Sequence, residues 1–444
     1  MQLEEEIEPS PLTSDEFHNL MAALNLGATK YIAVAVSGGG DSMALCLLLK
    51  AWCASEGINL TALTVDHGLR ENSHTEAEQV GKWLAEVSIA HHILSWEGDK
   101  PTTNIQDEAR KARYKLMGNW CVQNNVDYLC LAHHQDDQAE TFLLRLFRGS
   151  GVDGLSAMEE KADFPVNGNS INFPVLCRPL LDIAKSRLMA NLKIWQQDWV
   201  EDPSNQNENF TRIKIRSLLK SSNIDGLNSA RLSLTSQRMR RVRSLLEDLT
   251  EKAESEYVSY HELGFATLQA NFNEKLHEEI SLRLLSKILQ YTSGGQYAPR
   301  HNKLNSLYEN LKQDTFSGQT LLGCIVFSLS KNEFIFAREE NSIDSRINVS
   351  DTELVLWDNR FFINKTENIH CFSQKTLILL KQEYPEIKDK LNTYFGHSIL
   401  SKRIMPTLPC QINDEGKVML PEKLALEIGM PKLNGFSATL KNNP

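Results

Sequence analysis

Short apolar runs alternate with longer segments of helical spacing over the first third of the chain. Residues 31–36 are apolar and mostly β-prone, which predicts a buried strand, and residues 43–49 are an apolar run that can continue as a helix. Strands are expected at 60–65, 92–96 (weaker) and 127–132, and helices at 75–87, 105–120 and 135–147. The spacing turns Ile105, Ala109, Ala112, Leu116 and Trp120 inward on one helix, and Ala139, Phe142, Leu143, Leu146 and Phe147 on another. An earlier helix, capped by Ser14 and ending near Gly27, carries Phe17, Leu20, Met21 and Leu24 on one face, behind a loose tail over 1–13. Strands alternating with helices imply an α/β domain with a doubly wound parallel sheet. Ligands of such sheets bind at the carboxyl ends of the strands.

The pattern changes beyond residue 245. Helical spacing over 247–260 and 276–291 gives way to strand-like stretches at 320–329 and 333–337, then to a polar break at 339–350. A last segment shows strands within 354–363, a helix over 373–382 and β structure over 409–419. At 444 residues the chain exceeds one ordinary domain. The expected division is 1–225, an α/β domain; 226–345, a helical and α+β domain; and 346–444, a small α+β domain without a motif of chemistry.

Composition narrows the class. No apolar run is long enough to span a bilayer, and the acidic start is unlike a signal peptide. Eight scattered cysteines, none in a C-x-x-C pair, point to a reduced, cytoplasmic setting without a zinc ribbon or iron–sulfur cluster. The net charge of −10 speaks against nucleic acid globally, yet residues 205–245 hold nine basic side chains against two acidic ones. That excess is the footprint of a polyanion site, or else a basic solvated helix face.

The strongest chemistry lies between the first strand and the following helix, in Ser37-Gly38-Gly39-Gly40-Asp41-Ser42. A strand, a glycine turn and a helix N-terminus make an anion site, because unpaired N–H groups and the positive dipole end face the ligand. Ser37 and Ser42 add hydroxyls. A carboxylate beside phosphates needs a divalent cation between them, which makes Asp41 a metal-ligand candidate. The loop lacks the lysine of G-x-x-x-x-G-K-[ST] and the spacing of G-x-G-x-x-G.

Further candidates also follow strand ends. Asp66-His67-Gly68-Leu69-Arg70 would face the adenosine end of a nucleotide, unless it is an ordinary capped loop. His133-His134-Gln135-Asp136-Asp137 with Glu140 gathers three acids and two imidazoles, which calls for a metal or a substrate ammonium. An acidic first turn that satisfies the helix dipole accounts for Asp136 and Asp137 and less well for Glu140. Arg110 and Arg113, one turn apart, suit a phosphate or a base edge.

The loop resembles the SGGxDS signature of the PP-loop ATP pyrophosphatases, of the adenine nucleotide alpha hydrolase-like fold. Together with 65–70, 108–114, 131–141, 178–181 and 201–216 it resembles the tRNA(Ile)-lysidine synthetase family over about half of the chain. Ile213 departs from the family's R-N-x-I-R, and residues 402–406 are only faintly similar to its C-terminal domain. The resemblance implies ATP, Mg²⁺, free L-lysine and an isoleucine tRNA with a CAU anticodon. O2 of the wobble cytosine is adenylated with release of pyrophosphate, and lysine's ε-amine then attacks C2 and expels AMP. It gives Ser37, Gly38, Gly39, Gly40, Asp41, Ser42, Asp66 and His67 to the nucleotide and Asp41 to the metal. Asp137 and Glu140 would hold lysine, one of them or His133 would take its proton, and Arg113 would hold the cytidine or AMP phosphate. Arg110, Arg178, Arg212, Arg216, Arg238 and Arg241 would meet tRNA. A dimer is left open. A thiolating relative would need paired cysteines, an amidotransferase-type synthetase a glutaminase, and a nucleotide sensor neither the acidic cluster nor the basic stretch.

Overall fold

The structure is a computed structural model and describes residues 9–69, 72–98, 100–101, 103–165, 173–201, 211–221, 224–295, 297–344, 354–364, 369–413, 415 and 417–441. Arg70, the turn at 202–205, Phe210 and the side chain of Ile213 lie outside the described residues. The chain divides into two compact units, Met1–Ser244 and Leu245–Pro444. Among the described residues no helix is long and apolar enough to cross a membrane.

The first unit contains α1 (Ser14–Ala23), β1 (Tyr31–Ala35), α2 (Gly40–Glu56), β2 (Asn59–Asp66), α3 (Ser73–Glu86), β3 (Ala90–Ser95), α4 (Ile105–Gln123), β4 (Tyr128–Cys130), α5 (Gln135–Phe147), α6 (Val152–Leu155), β5 (Lys161–Ala162), β6 (Val175–Cys177), α7 (Lys185–Ile194) and α8 (Thr211–Ser221). A further helix, α9 (Ser229–Tyr257), begins in it. The sheet order is β3-β2-β1-β4-β6-β5, parallel except for β5. Alternate residues of β1 enter opposite cores: Ile32 and Val34 pack with α1, α2 and α7, and Ala33 packs with Tyr114, Met117 and Cys121 of α4. Burial on both faces is what a continuous apolar strand signals. The strand order reverses beside β1, since the chain goes on to β2 and β3 on one side and to β4 and β6 on the other. The carboxyl ends of β1 and β4 therefore flank the switch point, where such sheets bind ligands.

Several local expectations are corrected. The cap of α1 is Thr13, in a reciprocal capping box with Glu16, and Ser14 is the first helical residue. The tail is anchored at Leu12, whose N–H donates to Asn191 Oδ1 (2.8 Å) and whose carbonyl accepts from Asn191 Nδ2 (2.9 Å). The buried face of α4 is rotated onto Ala109, Tyr114, Met117, Gly118 and Cys121, because the sheet selects the larger continuous stripe, and Ile105 is exposed. On α5 the stripe stops at Leu143, leaving Leu146 and Phe147 exposed while Glu140 is buried.

The second unit holds an antiparallel sheet in the order β7-β8-β11-β10-β9: β7 (Val258–His261), β8 (Phe265–Gln269), β9 (Gln319–Leu321), β10 (Cys324–Ser330) and β11 (Glu333–Arg338). The helices α10 (Phe272–Lys275), α11 (Glu278–Ser293) and α12 (His301–Leu311) accompany it. The run expected as one strand over 320–329 is a hairpin, turned at Leu322 and Gly323, both with positive φ. The helix expected from 247 starts earlier, as α9, because its basic first half lacks the apolar spacing that betrays a helix. Strand β11 is buried on both faces, with Phe334 and Phe336 on one core and Ile335 and Ala337 on another shared with residues 357–440. The remainder contains β12 (Leu354–Trp357), β13 (Phe361–Asn364), β14 (Ile369–Cys371), α13 (Gln374–Glu383), α14 (Ile387–Phe395), α15 (Ser398–Ile404), β15 (Pro409–Ile412), β16 (Val418–Pro421), α16 (Glu422–Glu427), β17 (Asn434–Phe436) and β18 (Ala438–Leu440).

Candidate active site

The glycine loop links β1 to α2 across the switch point. Gly38 has a φ of +86°, and a Cβ there would lie 2.8 Å from Val80 and 3.3 Å from Val200, so conformation and packing both demand glycine. A Cβ on Gly40 would meet Met189 at 2.7 Å, whereas one on Gly39 would meet only Ser37 Oγ, at 3.7 Å. Gly38 and Gly40 thus serve the packing, and Gly39 presents its backbone to open space. The serines brace the loop: Ser42 Oγ donates to the Gly39 carbonyl (2.8 Å) and accepts from the Ser37 N–H (3.2 Å). The N–H groups of Gly40 and Asp41 begin α2, where no helical carbonyl reaches them.

Asp41 is the point where three helix N-termini meet. Its Oδ2 lies 3.4 Å from Nε2 of His134, the cap of α5, and accepts from Nζ of Lys185, the first residue of α7, at 2.9 Å. Burial opposes its charge, but the His134 hydrogen bond and the charges of His134 and Lys185 outweigh that and hold its pKa below the ordinary value. Its other oxygen, Oδ1, is buried without a hydrogen-bond partner. His134 Nδ1 accepts the Asp136 N–H (3.2 Å), so its Nε2 carries the proton between Asp41 and Asp137, whose Oδ2 is 3.5 Å away. Burial disfavours the imidazolium, yet Asp41, Asp137 and Asp136 raise the His134 pKa above its usual value. Asp137 Oδ2 also accepts the His134 N–H (3.0 Å), the capping duty expected of an acidic first turn.

Glu140 is 1% exposed, and burial raises its pKa against the opposing pull of Arg216. Arg216 Nε donates to Glu140 Oε1 at 2.7 Å, and Oε2 is buried without a partner. Arg216 is therefore engaged within the chain. His133 is pushed down to about 4, chiefly by burial and then, against Asp137, by the charges of Arg178, Arg110 and Arg212. Its neutral ring is a weak base. Those three arginines, named separately from the sequence, act on one imidazole. Arg178 is buried, donating Nη1 to the Glu159 carbonyl (2.8 Å) while its Nε lacks a partner.

At the end of β2, Asp66 is occupied by its own loop: it accepts from the Gly68 N–H (3.0 Å) and Ser73 Oγ (2.7 Å), and its Oδ2 lies 3.1 Å from His74 Nδ1. His67 accepts from Arg113 Nε at 3.3 Å, and its Nδ1 is buried and unpartnered. Burial, followed by the Arg113 charge, lowers its pKa to about 4. Trp96 stands edge-on to His67 at 6.1 Å, with the Lys100 ammonium 4.3 Å from its ring centre. In the basic stretch Arg238 and Arg241 are exposed on α9, while Arg240 donates to the Met158 carbonyl (3.1 Å) and Arg243 pairs with Glu159.

Of two further residues of this site, His134 was given no role of its own in the sequence reading and Lys185 escaped it. His134 was overshadowed by His133, although its place directly before a helix marks it as a cap. Lys185 carries no motif, and its partner lies 144 positions away. Among the described residues no cluster of three or more His, Cys, Asp or Glu could hold a metal. The orphaned Asp41 Oδ1 fits one direct ligand to a hard cation, whose other ligands would be phosphate and water oxygens.

A glycine cradle at the switch point of a parallel sheet, with an acidic site at the neighbouring strand end, defines a nucleotide-binding domain of the PP-loop class, and residues 12–223 match the PP-loop domain family. The likeness to known proteins extends well past that domain. The chain is 38% identical to the tRNA(Ile)-lysidine synthase of Wolbachia pipientis wMel over 362 residues, 81% of this chain and 82% of the relative. It is 37% identical to that of Wolbachia sp. subsp. Brugia malayi (strain TRS) over 421 residues, 93% and 94%, and 31% identical to that of Rickettsia bellii (strain RML369-C) over 431 residues, 96% and 94%. The chain belongs to the tRNA(Ile)-lysidine synthase family.

Proposed function

We infer that this chain is an ATP-dependent ligase that joins L-lysine to C2 of the wobble cytidine of the CAU-anticodon isoleucine tRNA. Family membership over most of the length supports the reaction. The observation that carries the site is the pair of buried, unpartnered carboxylate oxygens, Asp41 Oδ1 and Glu140 Oε2, beside the open cradle. ATP is the first substrate. Gly39 and the N–H groups opening α2 take its β- and γ-phosphates. Mg²⁺ on Asp41 would supply positive charge to the departing pyrophosphate. A cytosine carbonyl oxygen is a poor leaving group until it becomes a phosphate ester, which is what the adenylation achieves.

The second step needs an amine held beside C2. Asp137 and the free oxygen of Glu140 are suited to lysine's ammonium groups, and Asp137 to the proton that the ε-amine sheds. His133, neutral and weakly basic, is the poorer acceptor and suits a hydrogen-bond donor to the base instead. Arg113, with Arg110 behind it, suits the phosphate of the cytidine or of AMP. Segments 226–345 and 346–444 are assigned to the tRNA body, with Arg238 and Arg241 as phosphate contacts at the edge of the first.

ATP–pyrophosphate exchange tests the reading. Exchange should require the isoleucine tRNA, and radiolabelled lysine should enter that tRNA only when ATP is present. Exchange supported by lysine alone, without tRNA, would assign the adenylate to the amino acid and refute the order of steps.

A further inference from the structure

We propose that Lys185 is a displaceable counter-ion, holding the Asp41 carboxylate in the ligand-free protein and passing it to the divalent cation when nucleotide arrives. Its ammonium then moves onto the nucleotide's terminal phosphates. The proposal rests on the reading of residues 37–42 as an ATP cradle.

Three observations carry it. Asp41 Oδ2 receives the Lys185 ammonium at 2.9 Å, within reach of the same carboxylate that a cation needs. Lys185 is also the first residue of α7, where a positive charge opposes the helix dipole, so the helix gains nothing from it. Its side chain is 48% exposed, with Asp41 its one partner among the described residues. A lysine in that position is placed for the neighbouring carboxylate and is free to leave it. The backbone beneath it is fixed, because the Ile183 carbonyl accepts the Gln135 N–H at 3.0 Å and ties the turn before α7 to the start of α5.

The exchange follows from charge. Without ligand, Asp41 sits half-enclosed beside His134, and an ammonium offsets the cost of that carboxylate. A doubly charged cation arriving on Asp41 repels an ammonium bound to the same group. The phosphates that accompany the cation offer Lys185 a new partner, and its four-carbon stem lets the charge swing while the backbone stays still. The N-termini of α2, α5 and α7 converge there, so the positive field that receives the phosphates is complete only with Lys185 among them.

The test compares the full-length wild type with Lys185→Met and Lys185→Arg. Mn²⁺ affinity without nucleotide is read from the free-ion signal in electron paramagnetic resonance, and affinity for Mg²⁺ plus α,β-methylene-ATP by calorimetry. Removing the competitor should tighten Mn²⁺ binding about tenfold in Lys185→Met and weaken binding of the analogue about tenfold. Lys185→Arg should keep Mn²⁺ affinity near wild type. Unchanged or weaker Mn²⁺ binding in Lys185→Met overturns the counter-ion role, and unchanged analogue binding overturns the transfer to phosphate. Failure of the ATP reading itself looks different: the wild type would not bind the analogue at all.

Discussion

Glu140 and Arg216 form the contact whose removal has the best-defined cost. In Arg216→Met the carboxylate stays buried and loses its only hydrogen-bond donor among the described residues. Breaking a fully buried pair from one side costs about 3–5 kcal/mol, but the Arg216 side chain is 37% exposed, and solvent screening brings the expected loss to about 2 kcal/mol. The loss should depend on pH. Burial already raises the Glu140 pKa above its ordinary 4.5, and without the guanidinium it rises further. A carboxyl with a raised folded pKa binds more protons folded than unfolded, so stability falls as pH climbs from about 4.5 to the folded pKa and is level above it. Arg216→Met should therefore be near wild type at pH 5 and show its full penalty at pH 8. Urea unfolding followed by tryptophan fluorescence reads this, since Trp52, Trp83, Trp96, Trp120, Trp195 and Trp199 lie in the first unit. Adding Glu140→Gln should recover most of the loss by removing the stranded charge. An equal penalty at both pH values, or a double variant no more stable than Arg216→Met, would refute the reasoning.

Asp41→Asn should leave the unfolding midpoint near wild type and slow pyrophosphate release at least about 100-fold, through loss of charge stabilisation at the departing group; near wild-type release removes Asp41 from the chemistry. Asp137→Asn should raise the KM for lysine far more than that for ATP, and equal effects in steady-state assays would move the residue to the metal. Gly38→Ala should cost about 2 kcal/mol or more in urea unfolding, from the left-handed φ and the contact with Val80, and an unshifted midpoint would contradict the loop geometry. Reversing Arg238 and Arg241 to Glu should flatten the log–log salt dependence of tRNA binding by about one to two units while ATP affinity holds. Filter binding decides that case, and an unaltered slope places the tRNA elsewhere.

The parallel sheet was legible because its strands are short apolar runs buried on both faces, and the helices between them have clear spacing. The cradle was legible because glycine, serine and aspartate in that order have few other uses between a strand and a helix. Helix faces were harder. The stripe of α4 belongs to Tyr114, Met117 and Cys121, and only the opposing sheet decides between that stripe and the one through Ile105 and Leu116. The turn at Leu322 and Gly323 was hidden for a different reason, since a leucine with positive φ gives no turn signal. The basic count over 205–245 treated as free several charges that the fold already employs, among them Arg216, Arg240 and Arg243.

The acidic cluster shows why such pairings resist sequence reading and what they change. From the sequence, three carboxylates and two imidazoles at one strand end call for a metal or a substrate ammonium. The chain places Arg216, from 76 positions away, on Glu140 of that cluster and Lys185, from 144 positions away, on the neighbouring Asp41, and no local pattern announces a partner at such distances. Glu140 and Asp41 are each paired through one oxygen and keep the other buried and bare. On the proposal made for Lys185, a cation that takes Asp41 displaces a resident one. Ligand binding then becomes a replacement of charge by charge rather than the neutralisation of an exposed acidic site. On this reasoning cation affinity at Asp41 is set as much by the lysine that leaves as by the ion that arrives.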